Sequence, residues 1–231
     1  DPNKIFFFSA HLFDRTNSYE FYPGTGKTDI LSRNVINAPM KPLWRRDGCS
    51  SGSFTASSLS RRRSARPNVA RSGRAYFRRI VAEKLLPALR AYNPEIILLS
   101  SGFDGSEDDV GNCNHSIGAR SCCGLDLRPV DYFWAAAKVQ EVASICCDGK
   151  LVSVLEGGYG QYVRQRLERK NLANCVVAHV AALVDHENMP LFLNDDDSSG
   201  EEEEDDSDSS SEDSPPLPTY ANSAGLKSFG R

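Results

Sequence analysis

Two stretches of the chain repeat one plan, an amphipathic helical segment followed closely by a short apolar run, and this repetition limits the folds open to it. In the first, Ala75, Phe77, Ile80, Val81, Leu85, Leu86 and Leu89 recur at three- and four-residue steps between Arg74 and Tyr92, so they form one stripe of a helix. Pro87 is expected to kink its last turns. Behind Asn93-Pro94 comes Ile96-Ile97-Leu98-Leu99, a continuous apolar run of the kind expected in a strand covered on both faces. In the second, Pro129 opens a helix to about Cys146, with Phe133, Ala136, Ala137, Val139, Val142, Ala143 and Ile145 inward. Leu151-Val152-Ser153-Val154-Leu155 is the buried strand after it, and a closing helix is expected from Leu172 to Val184. Helix followed by buried strand, twice over, predicts an α/β fold, three layers α/β/α around a mainly parallel sheet.

The flanking segments are weaker. Ile5-Phe6-Phe7-Phe8 reads as a short buried strand, and Val35-Ile36-Asn37-Ala38 as a second one closed by Pro39. Between residues 45 and 73 the composition shifts to Ser, Arg and Gly, including Arg61-Arg62-Arg63, which predicts a flexible insertion in a loop. Residues 194–231 are expected to form a disordered acidic tail, leaving 1–193 as the folded domain. Residues 194–214 carry twelve of the 31 acidic residues and no Lys or Arg, so 27 basic residues face 19 acidic ones elsewhere. The body is therefore basic, which suits an acidic or nucleic-acid-associated partner, although simple solvation is the commoner meaning of both charge runs.

No apolar run reaches the roughly 18 to 20 residues that span a bilayer. The seven cysteines include two adjacent pairs, Cys122-Cys123 and Cys146-Cys147, and no CxxC spacing. Free thiols in a reducing compartment are expected, which favours nucleus or cytoplasm. Position 1 is not Met and a strand-like run begins within a few residues, so the sequence reads as a piece of something longer.

In open α/β sheets, ligands gather just past the carboxyl ends of the strands. Two segments lie there: Ser100-Ser101-Gly102-Phe103-Asp104 and Leu155-Glu156-Gly157-Gly158-Tyr159. Asp104, on a glycine-punctuated turn, can ligate a metal, although a solvated acidic loop is the commoner meaning of such a residue. The two glycines before Tyr159 let the backbone turn sharply and project a phenol over the same sheet edge, where it can donate to a developing oxyanion. A half-buried tyrosine at a strand end is the commoner meaning here too.

The two segments together, with about fifty residues of loop and helix between them, resemble the C-terminal half of class II histone deacetylases. Ser9-Ala10-His11, Phe21-Tyr22-Pro23-Gly24-Thr25-Gly26, Asn34-Val35-Ile36-Asn37-Ala38-Pro39, Pro42-Leu43-Trp44, Asp109-Val110-Gly111-Asn112 and Gly124-Leu125-Asp126-Leu127 extend the resemblance over residues 1 to about 186. It implies the arginase/deacetylase-like fold with its N-terminal half missing, and zinc-dependent hydrolysis of the N-acetyl-lysine amide in histones or other proteins. It further implies that Asp104 is a zinc ligand and Tyr159 the hydrogen-bond donor to the transition state. Tyr22 or Phe21 would wall the acetyl-lysine tunnel, and Gly157 and Gly158 would line its floor. Ser9 and the Ala10 carbonyl would help hold a structural potassium ion, and Asp109 would support the site from behind. Acetylated histone tails, other acetyl-lysine proteins and co-repressors are the partners implied, with no direct reading of nucleic acid.

The family pattern also has an Asp-x-His pair for the remaining zinc ligands and a His-His dyad for proton transfer, and neither occurs in this sequence. The histidines are His11, His115, His179 and His186, at no ligand-like spacing. A catalytic zinc takes three protein ligands, so this fragment alone is expected to be inactive. An acetylpolyamine amidohydrolase and a non-catalytic chromatin or protein interaction module are the alternatives. Pro23-Gly24-Thr25-Gly26-Lys27-Thr28 imitates the end of a phosphate-binding loop, but Phe21 stands where the first glycine belongs and strand rather than helix is expected after Thr28.

Overall fold

The computed structural model describes residues 4–14, 26–43, 73–107, 109–112, 124–163 and 166–196. Strand β1 (Phe7–Leu12) pairs in parallel with β2 (Val35–Met40), in a register running from Phe7 opposite Val35 to Leu12 opposite Met40. Both strands outrun the sequence expectation. β1 begins two residues later than Ile5 and continues through Ser9-Ala10-His11, because Ala10 and Leu12 pack on the core and both ring nitrogens of the buried His11 find partners. β2 continues through Pro39. The bonds from Phe7 N to Asn34 O and from Phe13 N to Met40 O, both 2.9 Å, set a ladder in which alternate residues of β2 donate. In that phase the nitrogen of Pro39 faces away from β1, and no ladder bond is lost.

The first predicted helix forms as α1 (Gly73–Ile80), a π-helical turn (Val81–Leu85) and α2 (Leu86–Tyr92). Pro87 has no N–H for the carbonyl of Glu83, and the wider turn lies just before it, where the expected kink would have been. Its apolar stripe is buried through Ile80, Val81, Ala88 and Leu89. Strand β3 (Ile97–Ser101) then pairs in parallel with β4 (Leu151–Leu155), which follows α3 (Pro129–Cys147). Asp131 in the first turn of α3 is fully buried, and accepts from Arg74 Nε at 2.7 Å, Arg78 Nε at 2.8 Å and the Arg128 backbone at 2.9 Å, tying α1 to α3. The last helix, α4 (Lys170–Val184), packs on α3 through Ala178 and Ala182, which share a cluster with Val130, Phe133, Ala136 and Ala137. Burial pushes the Cys175 thiol up to about 12, as befits a packed thiol.

One expectation about β3 and β4 fails. Among the described residues one face of the pair is covered: Ile97 lies in a cluster with Leu89, Val139, Val142, Ala143 and Cys147, while Leu98 is 74% and Val154 52% exposed. The described helices pack on one side of the pair, and alternate side chains of a strand point to opposite faces. Ile145, expected inward, is also exposed because it falls off the stripe set by Val139, Val142 and Ala143. β1–β2 and β3–β4 are separate pairs among the described residues. A core cluster that includes Ala38, Met40, Ile80, Phe103, Tyr132 and Cys175 joins β2 to the helices and to the loop after β3.

Beyond β4 the chain forms a hairpin with no forewarning in the sequence pattern, β5 (Gln161–Val163) paired antiparallel with β6 (Arg166–Glu168). A 3-10 helix, Leu191–Asp196, runs past the expected domain end at 193, with Leu193 buried against α3 and α4. The rest of the acidic tail, and the Ser/Arg-rich insertion apart from Gly73, lie outside the described residues. Among the described residues, no helix is long and apolar enough to cross a membrane.

Candidate active site

The parallel ladder of β3 and β4 delivers both of their carboxyl ends to one edge. Glu156 N donates to Ser101 O at 2.9 Å and Phe103 N to Gly157 O at 3.3 Å, so the two loops leave the sheet side by side. Phe103 is the anchor of the first loop. It is 1% exposed, with its ring 5.0 Å from that of Tyr132 and 5.5 Å from that of His179. With Phe103 fixed in the core, the next residue, Asp104, turns toward the second loop.

Glycines make room for it. A methyl group at Gly157 would stand 3.1 Å from Asp104 Cγ, and one at Gly102 would stand 2.9 Å from Asp104 Oδ1. Gly157 has φ +82° and Gly158 φ +103°, a backbone that other residues resist, and this sharp turn brings the chain around the carboxylate. Burial pushes the Asp104 carboxyl above the usual range; its own backbone opposes the shift and the charge of Asp109 adds to it.

Tyr159 reaches the same place. A methyl group at Gly111 would lie 2.8 Å from Tyr159 Cδ2 and 3.1 Å from Asp104 Cβ, so the phenol ring and the carboxylate stem flank one glycine. Asp109 fixes this arrangement. It is 2% exposed; its Oδ2 accepts from Tyr159 N at 2.9 Å and Gly160 N at 2.8 Å, and its Oδ1 from Gly111 N at 2.8 Å. One carboxylate thus holds the backbone of Tyr159 and of the glycine against which its ring rests. The Tyr159 side chain itself is half exposed.

The remaining predicted residues divide. Gly157 and Gly158 lie beside Asp104 and Phe103 respectively. Ser9 and Ala10 are in the middle of β1, on the other strand pair. His11 Nε2 lies 2.9 Å from Gly26 O, a pure acceptor, so that nitrogen carries the proton and Nδ1 accepts from Ser9 Oγ at 2.8 Å. Burial lowers the His11 pKa, which keeps that neutral tautomer. Phe21 and Tyr22 lie outside the described residues. After Thr28 come a 3-10 turn (Leu31–Arg33) and β2 rather than a helix, so Gly26-Lys27-Thr28 has no helix N-terminus with which to cradle a phosphate.

Two features of the site are not foreseeable from the sequence pattern. Gly102 and Gly111 are contact positions for Asp104 and Tyr159, yet nothing in their spacing distinguishes them from ordinary turn glycines. His179 on α4 lies 2.8 Å from Ser153 Oγ, which donates to Leu99 O at 3.3 Å, so a buried polar bridge ties α4 to β3 and β4 directly beneath both loops. Its only sequence sign is a histidine on an otherwise apolar helical stripe.

Among the described residues, no group of three or more His, Cys, Asp or Glu is placed to hold a metal ion. Asp109 is committed to backbone N–H groups and His179 to Ser153, while Asp104 is the carboxylate enclosed by the glycines of the two loops. A zinc ion takes three protein ligands in a catalytic site, and the described residues alone do not fit one.

The family model for the histone deacetylase domain matches residues 1–175. Type-2 histone deacetylase 2 of Dictyostelium discoideum is 32% identical over 83% of this chain and 9% of that protein. Histone deacetylase 10, chloroplastic, of Oryza sativa subsp. japonica is 30% identical over 69% of this chain and 27% of that protein. The solved HDA15 HD domain aligns with 82% of this chain and 41% of that one, at 17% identity and a TM-score of 0.46. The chain thus spans a minor part of the length of each of these relatives, and it belongs to the histone deacetylase domain family.

Proposed function

We propose that this chain supplies one side of a zinc-dependent deacetylase site that hydrolyses the N-acetyl-lysine amide of histones or other proteins, in the nucleus or cytoplasm. The observation that carries the reading is the meeting of Asp104 and Tyr159 across Gly111, with Asp109 holding the backbone of Tyr159 and of Gly111. In this reading Asp104 is one ligand of a metal completed by donors outside the described residues. A zinc ion bound there would supply Lewis-acid polarisation of the acetyl carbonyl.

The phenol of Tyr159 donates to the oxygen that gains negative charge as the amide is attacked, and Asp109 keeps its backbone from drifting. Gly157 and Gly158 form the floor beside the carboxylate, with Tyr22 or Phe21 as the aromatic wall. His179 is engaged by Ser153 and His11 lies on the other strand pair, so the group that takes and returns the proton is assigned to residues outside those described. Ser9 Oγ, donating to His11, keeps lone pairs for a potassium ion, and in the phase of the β1–β2 ladder the Ala10 carbonyl faces away from β2.

Zinc content tests the ligand assignment on the natural polypeptide that carries this chain. Asp104→Ala is expected to lose bound zinc, measured by elemental analysis after gel filtration, while Tyr159→Phe keeps it. Full zinc occupancy in Asp104→Ala would overturn the assignment.

A further inference from the structure

Both loops of the site stand on one helix. Leu172, Cys175 and His179 follow one another on α4 at steps of three and four residues and so share a stripe, while Ala178 and Ala182 on the neighbouring stripe meet α3. Leu172 and Cys175 belong to the core cluster of Phe103 and Tyr132. A methyl group at Gly158 would stand 2.7 Å from Leu172 Cδ1 and 2.9 Å from Phe103 Cβ, so the loop that carries Tyr159 crosses close over both side chains. Asn171 Nδ2 donates to Glu107 O at 3.0 Å and ties the first loop to the start of the same helix.

His179 is the polar member of that stripe, and it is 5% exposed. Ser153 Oγ donates its one proton to Leu99 O at 3.3 Å, so the 2.8 Å contact is a bond from the imidazole Nε2–H to that oxygen. A single run of hydrogen bonds therefore leads from α4 to β4 and β3, at the paired residues Leu99 and Ser153, two positions before the ladder ends at Ser101 and Leu155. The same ring meets that of Phe103 edge-on, with centroids 5.5 Å apart and planes at 75°. Phe103 directly precedes Asp104 and lies under the Gly158 turn, so whatever fixes its ring fixes both loops. An aliphatic side chain at 179 would also fill the space, and Ser153 would keep Leu99 O as its acceptor, so burial alone does not call for a histidine. What the imidazole adds is direction, since apolar contact is non-directional and a hydrogen bond sets distance and angle.

We propose that His179 is a positioning residue that acts through Phe103 to hold the Asp104 and Tyr159 loops at their mutual spacing. What that spacing serves rests on the deacetylase reading above. A displacement of about 1 Å can cost roughly a hundredfold in rate, so a loosened seat is read in kcat more than in peptide affinity.

The test is amide hydrogen exchange and steady-state turnover of an acetyl-lysine peptide, measured on the natural polypeptide and on its His179→Leu and His179→Gln variants. In His179→Leu, exchange of residues 103–106 and 157–160 is expected to rise about tenfold while α3 exchanges as in the parent, with the melting temperature within about 4 °C. Its kcat is expected to fall about tenfold with KM within about twofold of the parent. In His179→Gln, whose side-chain amide can donate to Ser153 Oγ, exchange and kcat return to within about threefold of the parent. Unchanged loop exchange in His179→Leu overturns the inference. So does an equal rise across the loops and α3, which would make His179 a packing residue alone. Loop-specific exchange in a polypeptide that turns over no acetyl-lysine peptide upholds the positioning role and overturns the deacetylase reading.

Discussion

Gly111 shows how little space separates the two candidate groups. A methyl group there meets the Tyr159 ring at 2.8 Å and the Asp104 stem at 3.1 Å. Because the ring is half exposed it can swing aside, so Gly111→Ala is expected to cost under about 1 kcal/mol of stability in urea denaturation while lowering deacetylation about tenfold or more. A similar loss of stability and activity together would point to general damage instead. The buried histidines give a pH signature. Burial lowers the pKa of His11 and of His179 below the ordinary 6.5, so the unfolded chain binds more protons than the folded one as pH falls below that value. Stability is therefore present above about 6.5 and is lost as pH falls through the lowered values. The raised carboxyl of Asp104 works in the opposite sense. The contribution of His179 is read as the difference between the parent chain and His179→Gln, which is expected to show a shallower fall in melting temperature between pH 7 and pH 5.

At the scale of elements, much was legible because the signals were periodic. The stripes over Ala75–Leu89 and Phe133–Ala143 give α1, α2 and α3, and the apolar runs after them give β3 and β4. Pro87 was legible as a disturbance, but whether a helix answers with a kink or a π-helical turn depends on packing that no local pattern encodes. The hairpin was missed because Gln161–Glu168 has neither clean alternation nor a turn dipeptide, and its place is set by contacts from Asp109 and Arg169 outside it. Asp131 was missed for a related reason: a carboxylate in a first helical turn is ordinary, and its two arginines come from a helix far back in the chain. Removing a buried ion partner leaves charge and N–H groups unsatisfied, so Asp131→Ala is expected to destabilise the chain by about 3 kcal/mol in urea denaturation. A change under about 0.5 kcal/mol would mean that Arg74 and Arg78 hold α1 to α3 by other contacts.

Over the whole molecule, the site is one-sided. Among the described residues the edge brings together the carboxylate of Asp104 and the phenol of Tyr159, while Leu98, Val152 and Val154 are exposed on the apolar sheet face. If the proposed function holds, further deacetylase-domain structure covers that face and brings the remaining donors. Leu98→Asp is then expected to leave the stability of the isolated chain within about 0.5 kcal/mol, and to lower deacetylation by the natural polypeptide. Equal activity would mean that this face stays open in the working enzyme. In the proposed site Tyr159, whose backbone Asp109 holds beside Gly111, donates to the oxyanion. The decisive comparison is the turnover of an acetyl-lysine peptide by the natural polypeptide and by its Tyr159→Phe variant, at equal zinc content. A fall in kcat of about two to three orders of magnitude, with little change in peptide affinity, is the expected result; unchanged turnover would contradict the role of Tyr159.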